Sequence, residues 1–362
     1  METLNHVISS AAGIASALPQ RGFAMSHASE VSAARRYGQL LATAMGMSAT
    51  DAGRLAIVVT EAGTNILKHA TEGWLILAAV TQDGCDGVEV LALDRGPGIS
   101  NVGMSLRDGV STTGTAGTGL GAMRRQSDDF DIYSAPGFGT AVYVLVAAAP
   151  APASAEINDT VAESVKPAQR LAVGAICLPL AGEEKCGDAW ALVKRSSSAT
   201  IVVSDGLGHG PGAATASQTA LAALCDRPTL APAEMMQAMH EALRPTRGAA
   251  AAAAVIDYQD NSFSFAGIGN IAACVVDGTL RRQLVSHNGI VGHNMRKVQA
   301  FTVAMDAGAC CILCSDGIGT QWDLNRYPGL VMCHPALIAG VLYRDFLRPR
   351  DDAMVVVVKR LH

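Results

Sequence analysis

The 362-residue chain has few aromatic and few charged residues, which make up 4% and 16% of it. Its formal net charge is -5, so it offers no basic field that would hold DNA or RNA, and a general nucleic-acid-binding role is disfavoured. Hydrophobic residues reach 49%, and many of them are alanine. We therefore expect folded cores built from small and aliphatic side chains, and no global disorder.

Signals for export and for membrane insertion are also lacking. The first twenty residues contain Glu2 but no Lys or Arg, so the positive segment of a signal peptide is not found there. No uninterrupted apolar run approaches the roughly twenty residues that cross a bilayer. The odd number of cysteines, nine, favours reduced thiols in a chain of this length. These features predict a cytoplasmic protein with no membrane partner.

A linker divides the chain into two candidate domains. Residues 148–167 are rich in Ala, Pro, Ser and Glu and are typical of a semi-stiff connector. They separate a first domain, residues 1–147, from a second, residues 168–362, and both have an ordinary domain size.

Periodic patterns predict the elements of each domain. In the first, helical patterns cover residues 30–45 and about 49–70, the second starting after Ser48, and strand patterns follow at 74–80, 88–93, 130–134 and 140–146. In the second, strand patterns dominate, at 171–180, 189–194, 200–204, 251–256, 263–276, 310–314 and 354–359, with helical patterns at about 211–225, 232–243 and 335–346. We expect an α/β (α+β) protein, an α/β sandwich followed by a sheet-rich core with helices outside.

The second predicted helix carries a polar stripe beside its apolar face. Glu61, Asn65 and Lys68 are four and three residues apart and so share one side of the helix. A carboxylate and an amide at the edge of a core are costly to bury unless they serve a ligand. An Asn oxygen suits Mg²⁺ carrying phosphates, and a Glu one turn away can accept a proton from an attacking hydroxyl.

Two glycine-containing segments follow this helix. Residues 94–98 begin with Asp94, which can accept a hydrogen bond from an exocyclic amine. Residues 111–121 are rich in Gly, Ser and Thr and lead into a predicted helix, where backbone N–H groups can meet phosphates. The second segment alone is typical of a mobile surface loop, but all three segments in this order indicate an ATP pocket.

The three segments resemble the N box and the two glycine boxes of the GHKL ATPases, above all the anti-sigma-factor serine kinases of the RsbT and SpoIIAB kind. The resemblance covers about residues 30–147. It implies one Mg²⁺ bound with ATP, Asn65 as its ligand, Glu61 as catalytic base and Asp94 as adenine contact. It also implies further nucleotide contacts from the glycine boxes, at Gly96, Gly98, Gly114, Thr115, Gly117, Thr118, Gly119, Leu120 and Gly121.

Acidic residues recur at the ends of predicted strands in the second domain. Asp188 opens one strand, Asp205 and Asp316 each follow a strand inside a Ser-Asp-Gly sequence, and residues 350–352 precede the last strand. One such site alone is typical of a turn. Four of them predict carboxylates that converge on one edge, where a pair of divalent cations would relieve their repulsion. All-oxygen ligands favour Mg²⁺ or Mn²⁺ over Zn²⁺.

These motifs resemble those of the PPM superfamily of metal-dependent protein phosphatases, in its SpoIIE and RsbX branch, over about residues 168–362. The resemblance implies two metal ions, held by Asp188, Asp205, the Gly206 carbonyl, Asp316 and Asp351, with Asp188 and Asp205 as the central catalytic ligands. Asp352 competes with Asp351 for the last position.

The predicted function is a metal-dependent serine/threonine protein phosphatase with a fused ATP-binding domain. By resemblance, the partner is a phosphorylated STAS-domain protein of the anti-sigma-antagonist type, together with related partner-switching proteins. Glu61 keeps serine kinase activity open, with ATP as a regulatory ligand being the alternative. A different class, a non-catalytic anti-sigma-like binding protein, stays open, as do hydrolysis of a small phosphorylated metabolite and a homodimeric state.

Overall fold

The structure is a computed structural model that describes residues 14–16, 20–82, 85–106, 119–148, 171–296 and 298–361. Most of the predicted linker, from residue 149 on, lies outside the described residues, as do Gly114, Thr115, Gly117 and Thr118 of the second glycine box. Within the described ranges no helix is both long and apolar enough to pass through a membrane.

The first half of the chain forms one five-stranded antiparallel sheet with helices on one face. Its strands follow the order β2-β3-β4-β6-β5, and β1 stands apart from them. In chain order the elements are β1 (Ile14–Ser16), β2 (Gln20–Ala24), α1 (Ala28–Ala44), α2 (Ala49–His69), β3 (Gly73–Gln82), β4 (Cys85–Asp94), α3 (Val102–Ser105), α4 (Gly119–Arg125), β5 (Asp129–Ser134) and β6 (Thr140–Ala147).

Both long helices form where the sequence predicts them. Ser48 caps α2, since its Oγ accepts a hydrogen bond from the backbone N–H of Asp51 at 3.1 Å. The apolar stripe of α2, which includes Leu55, Val58 and Ile66, is buried against the sheet. This burial turns the polar stripe toward the rim of the first domain.

The second half forms two antiparallel sheets with helices outside them. Its elements are β7 (Leu171–Leu178), β8 (Asp188–Lys194), β9 (Ser198–Gly206), α5 (Pro211–Asp226), α6 (Pro232–Leu243), β10 (Ala249–Asp257), β11 (Ser262–Ile268), β12 (Ala272–Asp277), β13 (Leu280–Leu284), β14 (Phe301–Ala304), β15 (Cys310–Cys314), α7 (Pro335–Phe346) and β16 (Ala353–Arg360).

One sheet has the order β1-β8-β9-β10-β11-β14 and the other β13-β12-β15-β16-β7. Their inner faces share a core, in which Cys311 and Leu313 of β15 meet Ile201 and Val203 of β9. The sandwich thus receives one edge strand, β1, from the N-terminal segment, through antiparallel pairing with β8.

The single strand predicted over residues 263–276 is wrong. The chain forms two strands there, β11 and β12, which belong to different sheets. The break falls at residues 269–271, where Gly269 has a φ of +91°. A glycine accepts this backbone angle readily, and the turn carries the chain from one sheet to the other.

The two halves share a helix between their sheets. One face of α7 packs on Leu91 and Leu93 of β4, and another packs on Ile176 of β7 and Val355 of β16, all within one core cluster. The layers in order are therefore α1 and α2, the first sheet, α7, the two sheets of the sandwich, and α5 with α6. The mixed α/β class is confirmed, with an α/β sandwich followed by a β-sandwich flanked by helices.

Candidate functional site

The acidic residues at strand ends in the second half lie along one edge of the sandwich. Asp188, the first residue of β8, is directly opposite Asp205 of β9 in the strand register. Asp316 lies two residues beyond the end of β15, and Asp351 lies two residues before β16, the strand that pairs with β15. We call these four residues, Asp188, Asp205, Asp316 and Asp351, the strand-end acids.

Asp188 is the most buried of the strand-end acids, with 3% of its surface exposed. Ser315 Oγ donates a hydrogen bond to its Oδ2 at 2.7 Å. Its Oδ1 is buried and has no hydrogen-bond partner among the described residues. Burial raises the pKa of Asp188 well above its ordinary value, and the nearby Asp205 raises it further. An unpaired buried carboxylate oxygen is costly in the absence of a positive partner.

The other strand-end acids act on one another electrostatically. Burial raises the pKa of Asp205 to about 8, and Asp316 and Asp351 contribute to the rise. The pKa of Asp316 is also raised, first by burial and then by Asp351, although Asn270 Nδ2 donates a hydrogen bond to its Oδ2. These mutual effects mean that the three carboxyl groups are near enough to repel one another.

The carboxyl groups do not close on one point. Among the residues that the structure describes, no three His, Cys, Asp or Glu side chains are gathered closely enough to hold a metal ion. Carboxylates that face one another repel and separate when no cation lies between them. These carboxyl groups nevertheless fit a divalent cation. All of their donor atoms are oxygen, and the acids raise one another's pKa values. Asp188 Oδ1 also has no hydrogen-bond partner among the described residues.

Asp351 and Asp352 have different surroundings. Both oxygens of Asp352 accept backbone hydrogen bonds, Oδ1 from Leu180 N at 2.7 Å and Oδ2 from Gly187 N at 2.8 Å. Asp352 therefore ties the chain on either side of the loop before β8 to the loop before β16. The carboxyl group of Asp351 raises the pKa of Asp316, so it faces the other acids. This difference favours Asp351 as the ligand, which stays a prediction.

Sequence reasoning missed the polar residues that support the strand-end acids. Ser315 bonds to Asp188 and also accepts a hydrogen bond from Met354 N at 2.9 Å. Ser217 of α5 donates to the Gly187 carbonyl at 2.6 Å and so fixes the residue before Asp188. The repeated Ser-Asp-Gly sequence is the signal that could have found Ser315, but nothing local identifies Ser217 or Asn270.

The polar stripe of α2 faces the start of α4. A Cβ built on Gly119 would lie 3.0 Å from both amide atoms of Asn65 and 3.2 Å from Glu61 Oε2. Glycine at this position therefore lets the backbone of the second glycine box approach both side chains. Leu120 and Gly121 follow on α4, Gly121 being buried. The structure brings the N box and the end of the second glycine box together.

Asp94 occupies the opposite side of this rim, at the end of β4. Its Oδ1 accepts hydrogen bonds from Gly96 N at 2.7 Å and Thr140 N at 3.2 Å. Burial raises its pKa, while these two bonds act in the opposite direction. Gly98 turns the loop with a φ of +77°. The loop geometry holds Asp94 at the rim, and its role as adenine contact stays a prediction.

Comparison with known families assigns each half of the chain. Residues 24–145 match the family described as Histidine kinase-like ATPase domain. Residues 196–361 match the family described as Stage II sporulation protein E (SpoIIE). The two matched ranges correspond to the two resemblances drawn from the motifs.

One curated relative matches the first half. It is the Serine/threonine-protein kinase RsbT of Bacillus subtilis (strain 168), 32% identical over 116 residues, which are 32% of this chain and 87% of the relative. The extent of this match shows the family for the first half.

Solved structures resemble parts of the chain. A chain from a structure of the bacterial stressosome, described as a modular system adapted to control secondary messenger signaling, is 26% identical, with a TM-score of 0.50 over 52% of this chain and all of that chain. The PP2C phosphatase domain of SpoIIE from Bacillus subtilis, solved with a fragment of its regulatory domain, is 18% identical, with a TM-score of 0.47 over 76% and 79% of the two chains.

Both resemblances drawn from the motifs are thereby confirmed. The chain belongs to the RsbT family of kinase-like ATPases in its first half, and residues 196–361 in its second half match the SpoIIE family.

Proposed function

We propose that the second domain removes phosphate from phosphoserine or phosphothreonine of a protein partner, with two Mg²⁺ or Mn²⁺ ions as cofactors. The observation that carries the proposal is Asp188, which is buried opposite Asp205 with one carboxylate oxygen unpartnered. Asp188, Asp205, the Gly206 carbonyl, Asp316 and Asp351 would hold the ions. Bound ions of this type supply an activated water and orient the phosphoryl oxygens.

The remaining contacts of this chain hold the proposed ligands in place. Ser315 fixes Oδ2 of Asp188, and Oδ1 has no hydrogen-bond partner among the described residues. Asp352 anchors the backbone before β8 through two N–H groups, and Asn270 restrains Asp316. Restraints of this kind reduce the reorganisation that is needed when the ions and a phosphorylated side chain bind.

The first domain is proposed to bind ATP with one Mg²⁺. Asn65 would hold the ion, Asp94 would contact the adenine, and the glycine box that ends at Gly119 to Gly121 would cover the phosphates. Glu61 lies beside Asn65, which is where a base for transfer to a serine hydroxyl is needed. These residues support a serine kinase activity that opposes the phosphatase activity of the same chain.

The proposed partner is a phosphorylated STAS-domain protein of the anti-sigma-antagonist type. The support is the kinase RsbT as a relative of the first half and the stressosome chain among the similar solved structures. Opposed kinase and phosphatase domains in one chain would let the nucleotide level set the phosphorylation of that partner. The cytoplasm is the proposed location of this circuit.

Two variants test the proposal together. We expect Asp205→Ala to abolish Mn²⁺-dependent dephosphorylation of a phosphorylated STAS protein and to leave ATP binding intact. We expect Asn65→Ala to do the reverse. A small phosphoester measured in parallel distinguishes a protein phosphatase from an enzyme of small metabolites. Loss of both activities in either variant would contradict two separate sites, and wild-type protein that binds its partner without dephosphorylating it would favour a pure binding role.

A further inference from the structure

Helix α7 of the phosphatase domain is held by the nucleotide-binding domain at its start. The ring of His334, its N-cap, stacks on Tyr143 of β6 with the ring centroids 3.9 Å apart. The backbone N–H of His334 donates to Asp131 Oδ2 at 2.6 Å. Every residue from Pro335 to Arg344 is buried, because the helix lies between two sheets. The helix is therefore an integral part of both domains.

The end of α7 reaches the loop that carries Asp94. Arg344 is only 2% exposed, and its Nη1 donates to the backbone carbonyl of Asp94 at 2.9 Å. Its Nε and Nη2 donate to Oδ1 and Oδ2 of Asp345, both at 2.8 Å. Arg95, the residue after Asp94, donates in turn to the Arg344 carbonyl. This rigid fork of charged hydrogen bonds fixes the Asp94 loop against the phosphatase domain.

The residues directly after α7 reach the proposed metal site. The Phe346 carbonyl accepts a hydrogen bond from Gly319 N at 2.8 Å. Arg348 donates through its backbone N–H to Gly317 O at 2.7 Å and through Nη1 to the backbone carbonyl of Asp316 at 3.1 Å. Residues 344–348, which we call the coupling segment, thus contact the Asp94 loop at one end and the Asp316 loop at the other.

We propose that the coupling segment links nucleotide binding to metal binding, with Arg344 as a positioning residue of the nucleotide site. This inference rests on the proposed function. A nucleotide that holds Asp94 in place favours the arrangement in which Arg344 is bound, and the same arrangement holds Arg348 on the Asp316 loop. Both ligands stabilise one arrangement of the segment, so each increases the affinity for the other by the same factor.

The test is a Mn²⁺ titration of p-nitrophenyl phosphate hydrolysis with and without a non-hydrolysable ATP analogue, at buffered free Mn²⁺. In the wild type we expect the analogue to lower the half-saturating Mn²⁺ concentration about 5-fold or more, the low end of typical coupling. The ratio of the two half-saturation values is independent of the maximal rate. In Asn65→Ala the ratio should be one, because the analogue then has no site in the first domain.

Two variants address the coupling segment itself. In Arg344→Lys, which keeps the charge but loses the fork, we expect a ratio near one and about 10-fold weaker binding of a fluorescent ADP analogue. In Arg348→Gln, at an exposed position, the ratio should also fall toward one, while the nucleotide affinity of protein without Mn²⁺ in its phosphatase site should stay unchanged. The matched control is Arg227→Gln, an exposed arginine at the end of α5, which should keep the wild-type ratio.

The outcomes separate the inference from the proposed function. Wild-type protein that hydrolyses the ester and binds the analogue, yet shows the same half-saturation with and without it, would overturn the coupling alone. A wild-type ratio retained in both segment variants would also overturn the role of residues 344–348. Absence of hydrolysis or of nucleotide binding in the wild type would overturn the proposed function first.

Discussion

Replacing Asp188 by Asn should raise the stability of the metal-free protein and lower its phosphatase activity. Asp188 is buried, faces Asp205 in the strand register, and has an unpartnered Oδ1. The substitution keeps the size of the side chain and the acceptor for Ser315, but it removes one charge from a site where like charges crowd. In metal-free protein we therefore expect Asp188→Asn to be more stable than the wild type.

The expected gain is about 1–3 kcal/mol at pH 8, the desolvation penalty of a buried polar group, because burial opposes ionisation of the wild-type carboxyl group and the amide does not ionise. Because burial raises the pKa of Asp188, the folded wild type binds the proton of this group more tightly than the unfolded chain, in which the group ionises near 3.8. Wild-type stability therefore falls as the pH rises above 3.8, and the gain from the variant should be smaller at pH 5. Hydrolysis should fall at least about 100-fold, since even residues behind a metal ligand cost 10- to 100-fold in affinity or activity.

Urea unfolding with a chelator, and again with saturating Mn²⁺, measures both effects. Mn²⁺ should stabilise the wild type and leave Asp188→Asn almost unchanged. Asp260→Asn, an exposed aspartate in the turn between β10 and β11, is the matched control and should behave like the wild type. A variant that is less stable than the wild type without metal, and that Mn²⁺ still stabilises fully, would refute this account of Asp188.

Three further predictions address other parts of the chain. Gly119→Ala places a methyl group 3.0 Å from the amide of Asn65, so nucleotide affinity measured by fluorescence titration should fall about 10-fold (about 1.4 kcal/mol) with little change in ester hydrolysis. Burial raises the pKa of Glu89 from 4.5 to about 7, so wild-type stability is lost as the pH rises across that interval. In thermal unfolding, Glu89→Gln should therefore be more stable than the wild type by up to about 3 kcal/mol at pH 8 and equally stable at pH 4. An equal gain in stability at both pH values would contradict this origin. Asp351→Ala should abolish Mn²⁺-dependent hydrolysis at nearly unchanged stability in urea, whereas Asp352→Ala should cost about 1–3 kcal/mol because two backbone N–H groups lose their acceptor; the reverse pattern would exchange their roles.

The central strands of each sheet could be predicted from the sequence, and the strands that escaped prediction lie at edges. β1 and β14 are the two edges of one sheet, β13 is an edge of another, and β2 is an edge of the first-domain sheet. An edge strand buries less of its surface and pairs on one side only, so its sequence need not be strongly apolar. The short β13 shows this, since it contains Arg281 and Arg282 and is half exposed.

The strand-end acids could be found from the sequence because each belongs to a strand with a strong apolar pattern. Asp205 is the second-last residue of β9, and Asp316 follows β15. The residues of both strands are nearly all buried, so the end of each strand is defined by where the apolar run stops. The contacts among the acids depend on pairing between distant strands, which periodicity cannot supply. For the same reason Ser217 and Asn270, which hold these acids from a helix and a loop, carry no local signal.

The position of α7 between the two domains could not be predicted from the sequence of either domain alone. A helix that covers one sheet needs one apolar face, but α7 is buried from Pro335 to Arg344 and has only apolar or small residues from Pro335 to Leu342. Two glycines show how closely α7 packs on each domain. A Cβ added to Gly174 of β7 would overlap the backbone N of Ala336 in α7. A Cβ added to Gly340 of α7 would lie 2.7 Å from Leu93 Cδ2 of the first domain. A helix that lies between two sheets has no face exposed to solvent. Arg344 at its end is therefore buried, and its charge requires partners from both domains. The carbonyl of Asp94 and the carboxylate of Asp345 are those partners, and they make the boundary between the two domains a continuous core.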